Sequence, residues 1–163
     1  MNKKVFFLLL ALIVPVLVFT FLNFFGKNEF VVEPLFQTEE SKLPDGCQIK
    51  IPYVIPDSTY SFLKQGHEND SLLIILYEPH CKDLNASETQ LSRLQESFPF
   101  VNGLGLTRIS ASAGLSGCNL VLKSSLDLVL VDAKRRIRGQ YNSNDRDEID
   151  RLMTELDIIL KRY

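Results

Sequence analysis

The run from Val5 to Phe25 constrains this chain most: 21 residues without a charge, interrupted only by Pro15, Thr20 and Asn23. About 20 apolar residues in a helix match the roughly 30 Å hydrocarbon core of a bilayer. Lys3 and Lys4 precede the run, a positive flank that suits either a cleaved signal peptide or an anchor. Between Thr20 and Lys27 there is no small-x-small cleavage site, and the run is longer than the apolar stretch of a usual signal peptide. The expectation is an uncleaved anchor over residues 1–26, with Pro15 tolerated in lipid because neighbouring groups satisfy the freed carbonyl. Lys3 and Lys4 on one side, against Lys27 alone close on the other, put the N-terminus in the cytoplasm. A single-pass inner-membrane protein with a periplasmic domain follows as the expected arrangement.

The chain has 163 residues in all, which leaves room for one ordinary domain and excludes a multidomain enzyme. Residues 27–163 hold 16 basic and 20 acidic side chains, a net charge of −4, so no basic field is present to hold nucleic acid. Residues 27–46, with Pro34, Pro44 and the acidic Thr38-Glu39-Glu40, read as a stalk, and residues 47–163 as the folded domain. Cys47, Cys81 and Cys118 are the three cysteines, an odd count that leaves at least one thiol without an intramolecular partner. One disulfide and one free thiol fit an oxidising compartment. Sequence leaves all three pairings open, a Cys47–Cys118 disulfide among them, as well as three unpaired core thiols.

Gln48 to Val54 alternates like a short edge strand, with Pro56-Asp57-Ser58 as the turn that ends it. Ser71 to Tyr77 is a continuous apolar run, the pattern of a strand buried on both faces. Leu84, Leu91, Leu94 and Phe98 recur at helical spacing, with Ser87 and Gln90 as a capping box. Val101 to Ile109 reads as a strand, Ser110 to Lys123 as a loop, and Leu126 to Asp132 with Arg136 to Tyr141 as an antiparallel hairpin. Ile149, Leu152, Met153, Leu156, Ile159 and Leu160 make one apolar stripe on a final helix, capped by Asp145 and Glu148, with Lys161 and Arg162 suiting its C-terminal dipole. A β-α-β unit followed by a hairpin and a closing helix predicts an α/β, thioredoxin-like fold behind the transmembrane helix.

In that frame, residues 128–141 (LVLVDAKRRIRGQY) resemble the "LVD..G.IRG.YD" hairpin of the Sco/SenC family, membrane-anchored thioredoxin-like factors for copper delivery to cytochrome oxidase. Asp147 to Leu152 resembles the opening of that family's last helix, and Thr89 to Gln95 the helix after its metal loop. The anchor, the stalk and the Cys47 to Pro56 segment fit its shorter bacterial members. The resemblance implies a periplasmic assembly factor for a respiratory oxidase, with copper(I) held by two cysteines spaced C-x-x-x-C and a histidine ahead of the hairpin. Counting back from Gln90, those two cysteine positions fall on His80 and Leu84, or, one residue later, on Cys81 and Asn85. Either way the second thiol is missing, and Lys123-Ser124-Ser125 stands where the histidine would be.

Copper(I) prefers soft sulfur ligands, and here the loop supplies one. His80 and Cys81 are the candidate metal pair, with Cys118 or Cys47 as a distant third ligand. Cys81 is also the candidate catalytic thiol, since a helix start with His80 and Lys82 beside it favours thiolate. Dithiol exchange is disfavoured because no resolving cysteine lies nearby in sequence. His67 reads as a solvated loop residue, and Lys134-Arg135-Arg136 with Arg138 as a solvated hairpin tip. No phosphate loop, Ser-His-Asp set or paired metal histidines are recognisable. Two expectations remain: an accessory or assembly factor that has lost most copper and redox ligands and needs no cofactor, or an active copper(I) or monothiol protein using Cys81 and His80.

Overall fold

The computed structural model describes residues 3–25, 31–38, 43–44, 46–98 and 103–160. The chain divides into two compact units, Met1–Val31 and Val32–Tyr163. The first contains α1 (Lys3–Phe25), 23 residues with Pro15 inside it. The described apolar side chains of this helix, from Leu10 to Leu22 and Phe24, are exposed. Counting only residues so described, no helix is long and apolar enough to cross a membrane. In α1 the side chains of residues 5–9, 23 and 25 fall outside that count.

The second unit is a mixed α/β domain around a four-stranded sheet, β1 (Leu72–Tyr77), β2 (Leu104–Ile109), β3 (Leu128–Asp132) and β4 (Ile137–Tyr141), in the order β2-β1-β3-β4. β1 pairs parallel with β2 and antiparallel with β3, and β3 pairs antiparallel with β4. Among the described residues three α-helices complete it: α2 (Asp57–Leu63), α3 (Leu84–Ser97) on the crossover from β1 to β2, and α4 (Arg146–Leu160). All six residues of β1 are buried, which explains its unbroken apolar run: alternate side chains serve two cores. Leu72, Ile74 and Leu76 pack with Leu128, Leu130 and the stripes of α3 and α4. Leu73, Ile75 and Tyr77 pack with Val129, Val131, Phe36, Tyr53 and Ile55.

A bulge on β4 controls which core each strand end joins. Leu130 is opposite Gly139 and Val131 opposite Ile137, so Arg138 is the extra residue and the alternation slips by one. Ile137 therefore joins the second core while Tyr141 stays in the first. A Cβ at Gly139 would collide with the Tyr141 hydroxyl, so the ring folds over the bare glycine.

Several expected elements differ. Gln48 to Val54 forms no strand; this stretch belongs to an extended strap held by single bonds, Tyr53 N–H to the Phe36 carbonyl and Ile55 N–H to the Arg135 carbonyl. Pro52, joined by a cis peptide, has no N–H to give a ladder. The expected turn at Pro56 is instead the start of α2, with Asp57 in its first turn. The compact unit already begins at Val32, inside the expected stalk, and Leu35 N–H bonds the Ile137 carbonyl. Ser87 is no cap: Asp83 caps α3, accepting from the N–H groups of Asn85 and Ala86. Asp145 accepts from Asp147 N–H at the start of α4, while Glu148 pairs with Arg151. Lys161, Arg162 and Val101 lie outside the described residues.

Candidate functional site

The chemistry-bearing residues gather at the end of the sheet where β1 runs out and β3 begins. After Tyr77 the chain makes a short 3-10 helix, Glu78–His80, and Asp83 caps α3 three residues later. Between these two devices His80 and Cys81 are adjacent in sequence but face different neighbours. The His80 ring stands edge-on to Tyr77 at 4.8 Å, and its Nδ1 is 3.1 Å from the Leu126 carbonyl. A carbonyl can only accept, so Nδ1 carries the proton of that bond and Nε2 is left open. Cys81, half-buried and the free cysteine of the three, places its Sγ 3.0 Å from Ser87 Oγ and 3.9 Å from Ser143 Oγ.

The partners of Cys81 are arranged in one direction. Asp127, 1% exposed, accepts from Ser143 N–H and from Ser143 Oγ, each at 2.6 Å. Having given its proton to the carboxylate, Ser143 can only accept from Ser87, which it meets closely. Ser87 in turn accepts, from Asn144 Nδ2 at 3.1 Å and from the thiol. Cys81 is thus the donor end of a chain of hydrogen bonds that terminates on a buried carboxylate. Such a network rigidifies its members when every group is satisfied. Asn144 also donates to the Asp83 carbonyl at 2.6 Å, tying the cap of α3 to the start of α4.

On the other side of His80, a cleft of about 550 Å³ is lined by His80, Cys47, Cys118, Lys123, Ser124 and Ser125, with Leu43, Pro44 and Leu122 as its apolar wall. Cys47 and Cys118 form a disulfide across 71 residues, with Cα atoms 5.4 Å apart. It fastens the strap to the 3-10 helix Gly117–Leu120, where a Cβ on Gly117 would touch His80 Cε1 at 3.1 Å. The loop that follows is held from the sheet: Val121 has φ 52°, a left-handed backbone that strains a β-branched residue. Buried Gln140 compensates by donating to the carbonyls of Leu120 and Val121.

The structure therefore brings Cys47, Cys118 and His80 to one cleft and sends Cys81 into the Ser87–Ser143–Asp127 chain. Among the described residues no group of three or more His, Cys, Asp or Glu side chains gathers as a metal site. His80 and Cys81 face different neighbours: Nδ1 is on the Leu126 carbonyl with Nε2 open, while Sγ is on Ser87. Sequence reasoning missed Asp127, Ser143 and Asn144, which carry no spacing signal, although Asp127 does stand out as a carboxylate at the mouth of an apolar strand.

Two features read as solvated, a histidine and a cationic turn, are built in. His67 Nδ1 bonds Asp70 at 2.8 Å, with both side chains largely buried, and they fill the space left by Gly105, where a Cβ would meet both at 2.5 Å. The cationic hairpin is not a free tip either. Asp132, 3% exposed, accepts from Arg136 through Nε and Nη2 at 2.9 and 2.7 Å and from Arg138 at 3.4 Å. Arg138 also donates to the Val32 carbonyl at 2.6 Å, while Arg135 pairs with Asp57. Among protein-family models, characterised proteins and solved structures, comparison with this chain found no match.

Proposed function

We propose that the chain is a membrane-anchored, thioredoxin-like accessory protein of the Sco/SenC kind, with its domain in the periplasm and a respiratory oxidase or another membrane complex as its partner. The anchor rests on the uncharged run Val5 to Phe25, and the fold reading on the β2-β1-β3-β4 order with one parallel crossover through α3. The observation that carries the functional reading is the state of Cys81. The loop where such a protein would place two thiols has one, and that thiol is the donor end of a closed hydrogen-bond chain. The thiolate is the form that attacks disulfides and ligates metals. In this reading the domain works by docking and not by carrying copper(I) or by using Cys81 as a monothiol.

The test is complementation in cells lacking the protein, with assembled oxidase measured from its haem spectrum. Full-length chain restores assembly, and Cys81→Ser restores it equally. In parallel, the reduced fragment from Lys27 onward competes with a strong copper(I) chelator. Tight one-to-one copper binding that vanishes in Cys81→Ser overturns the docking reading and establishes copper delivery through Cys81 and His80.

A further inference from the structure

We propose that the Cys47–Cys118 disulfide is itself a thiol-exchange site, and that the cleft it lines admits a small anionic thiol. The proposal is independent of the Cys81 reading, because it concerns sulfurs on the other side of His80. Three observations point the same way. Both cysteines are only half-buried and line an open cleft, not a sealed core, and about 550 Å³ lies within the usual range of small-molecule sites, roughly 300–1,000 Å³.

Charge selects the class of thiol. Lys123 is exposed and lines the cleft, and among the described residues it makes no ion pair and no Asp or Glu shares the lining. A cleft lined with one sign of charge raises the local concentration of ligands of the opposite sign. His80 supplies the third observation. Its Nδ1–H is fixed on the Leu126 carbonyl, so Nε2 is the nitrogen able to exchange a proton, and the ring faces Gly117, the neighbour of Cys118, where an added Cβ would lie 3.5 Å from Nε2.

The incoming thiol gives its proton to His80 Nε2, and its sulfur attacks one sulfur of the disulfide, forming a mixed disulfide as the Cys47–Cys118 bond breaks. The departing cysteine sulfur leaves with the bonding pair and takes the proton from His80. A second thiol attacks the mixed disulfide, releasing the small molecule as its own disulfide and the remaining cysteine as a thiol. Two small thiols are oxidised, and one protein disulfide is reduced by two electrons. No third cysteine is required, since the second small thiol cleaves the mixed disulfide, while attack by the freed cysteine across the 71-residue separation only restores the starting bond.

The experiment exposes the full-length chain, in detergent, to glutathione, a thiol with two carboxylates, or to cysteamine, a cationic thiol, at matched thiolate concentration. Acid quenching, alkylation and mass spectrometry then follow Cys47 and Cys118. Glutathione is expected to reduce the bond roughly fivefold faster, the factor one Coulomb contact gives in water. Lys123→Glu removes or reverses that preference, which separates charge from the different sizes of the two thiols. His80→Gln slows both reagents. Equal rates for the two thiols in the wild type, an unchanged preference in Lys123→Glu, or no reaction until denaturant is added overturns the proposal. An unchanged rate in His80→Gln overturns the proton-transfer step.

Discussion

The two faces of the sheet are covered by different means. One face is closed by helices: Leu72, Ile74, Leu76, Leu128 and Leu130 meet the stripes of α3 and α4, and the burial of apolar area supplies the stability. The other face is closed mainly by irregular chain, the strap before α2 and the loop after β2, which bury Phe36, Tyr53, Ile55, Leu120 and Val121 against the sheet. Extended segments cannot satisfy their own backbone groups as a helix does. This face accordingly depends on single bonds such as Leu35 N–H to Ile137, on buried Gln140, and on the disulfide. Side chains with exchangeable chemistry sit where the covering is irregular, as is usual for loops carried on a rigid scaffold.

The largest single loss should come from the buried ion pair at the hairpin end, where the Val32 carbonyl of the strap closes on Arg138. Asp132→Ala removes the acceptor of Arg136 and Arg138 and leaves Arg138, 8% exposed, as an uncompensated charge whose Nε already lacks a partner. Urea unfolding of the fragment from Lys27 onward should show a loss of about 3–5 kcal/mol. A loss under about 1 kcal/mol would mean that water reaches the guanidinium and that the strap is not closed over it.

On the helical side the matching test is Leu156→Ala. Leu156 is fully buried at the middle of the α4 stripe, so the same measurement should give about 2–5 kcal/mol. Here the loss is that of packing alone, and Leu156→Met should recover most of it because volume-conserving swaps are tolerated. A change within about 0.5 kcal/mol for Leu156→Ala would place that residue at the surface.

The disulfide discriminates the two faces within one molecule. Replacing Cys47 and Cys118 together by Ala should cost about 2–4 kcal/mol, with the effect localised. Amide exchange should accelerate in residues 46–56 and 117–122 and remain unchanged in α4. Uniform acceleration across both faces would show that the strap and the helices open as one unit.

How legible each face was in the sequence follows from the same contrast. The stripe from Ile149 to Ile159 and the run through β1 announce themselves because regular elements repeat their environment at a fixed period. The strap defeats such reading: the alternation from Gln48 to Val54 comes from a few inward side chains on a segment without a ladder. α2 is seven mostly polar residues, too short for a period to register. Arg138 and His67 look like surface charges, yet one is the bulged residue beside Asp132 and the other fills the space above Gly105. Both depend on neighbours distant in sequence. The site divides in the same way. Cys81 and His80 were visible as residue types, whereas the buried chain Ser87–Ser143–Asp127 and the partnership of Cys47 with Cys118 exist only once β3, β4 and the strap are in place.

The smallest expected effect concerns pH and belongs to the helical face. Tyr141 is buried and donates to Glu155 at 2.5 Å; burial first, and then the bond to that carboxylate, hold its hydroxyl well above the ordinary tyrosine value. A raised value means that the folded state keeps a proton the unfolded chain gives up above about pH 10. The contribution is fully present below that pH and is lost progressively as pH rises from there toward the raised value of the folded state. Tyr53 and Tyr60 are raised by burial as well, so stability should decline on the alkaline side for all three tyrosines together. Tyr141→Phe should cost roughly 1 kcal/mol at pH 7, the value of one hydrogen bond. It should also make the decline from pH 9 to 11 shallower than in wild type, because one titrating group has been removed. Parallel alkaline declines in the two proteins would show that the Tyr141 hydroxyl reaches solvent and that the α4 packing over Gly139 is open at that edge.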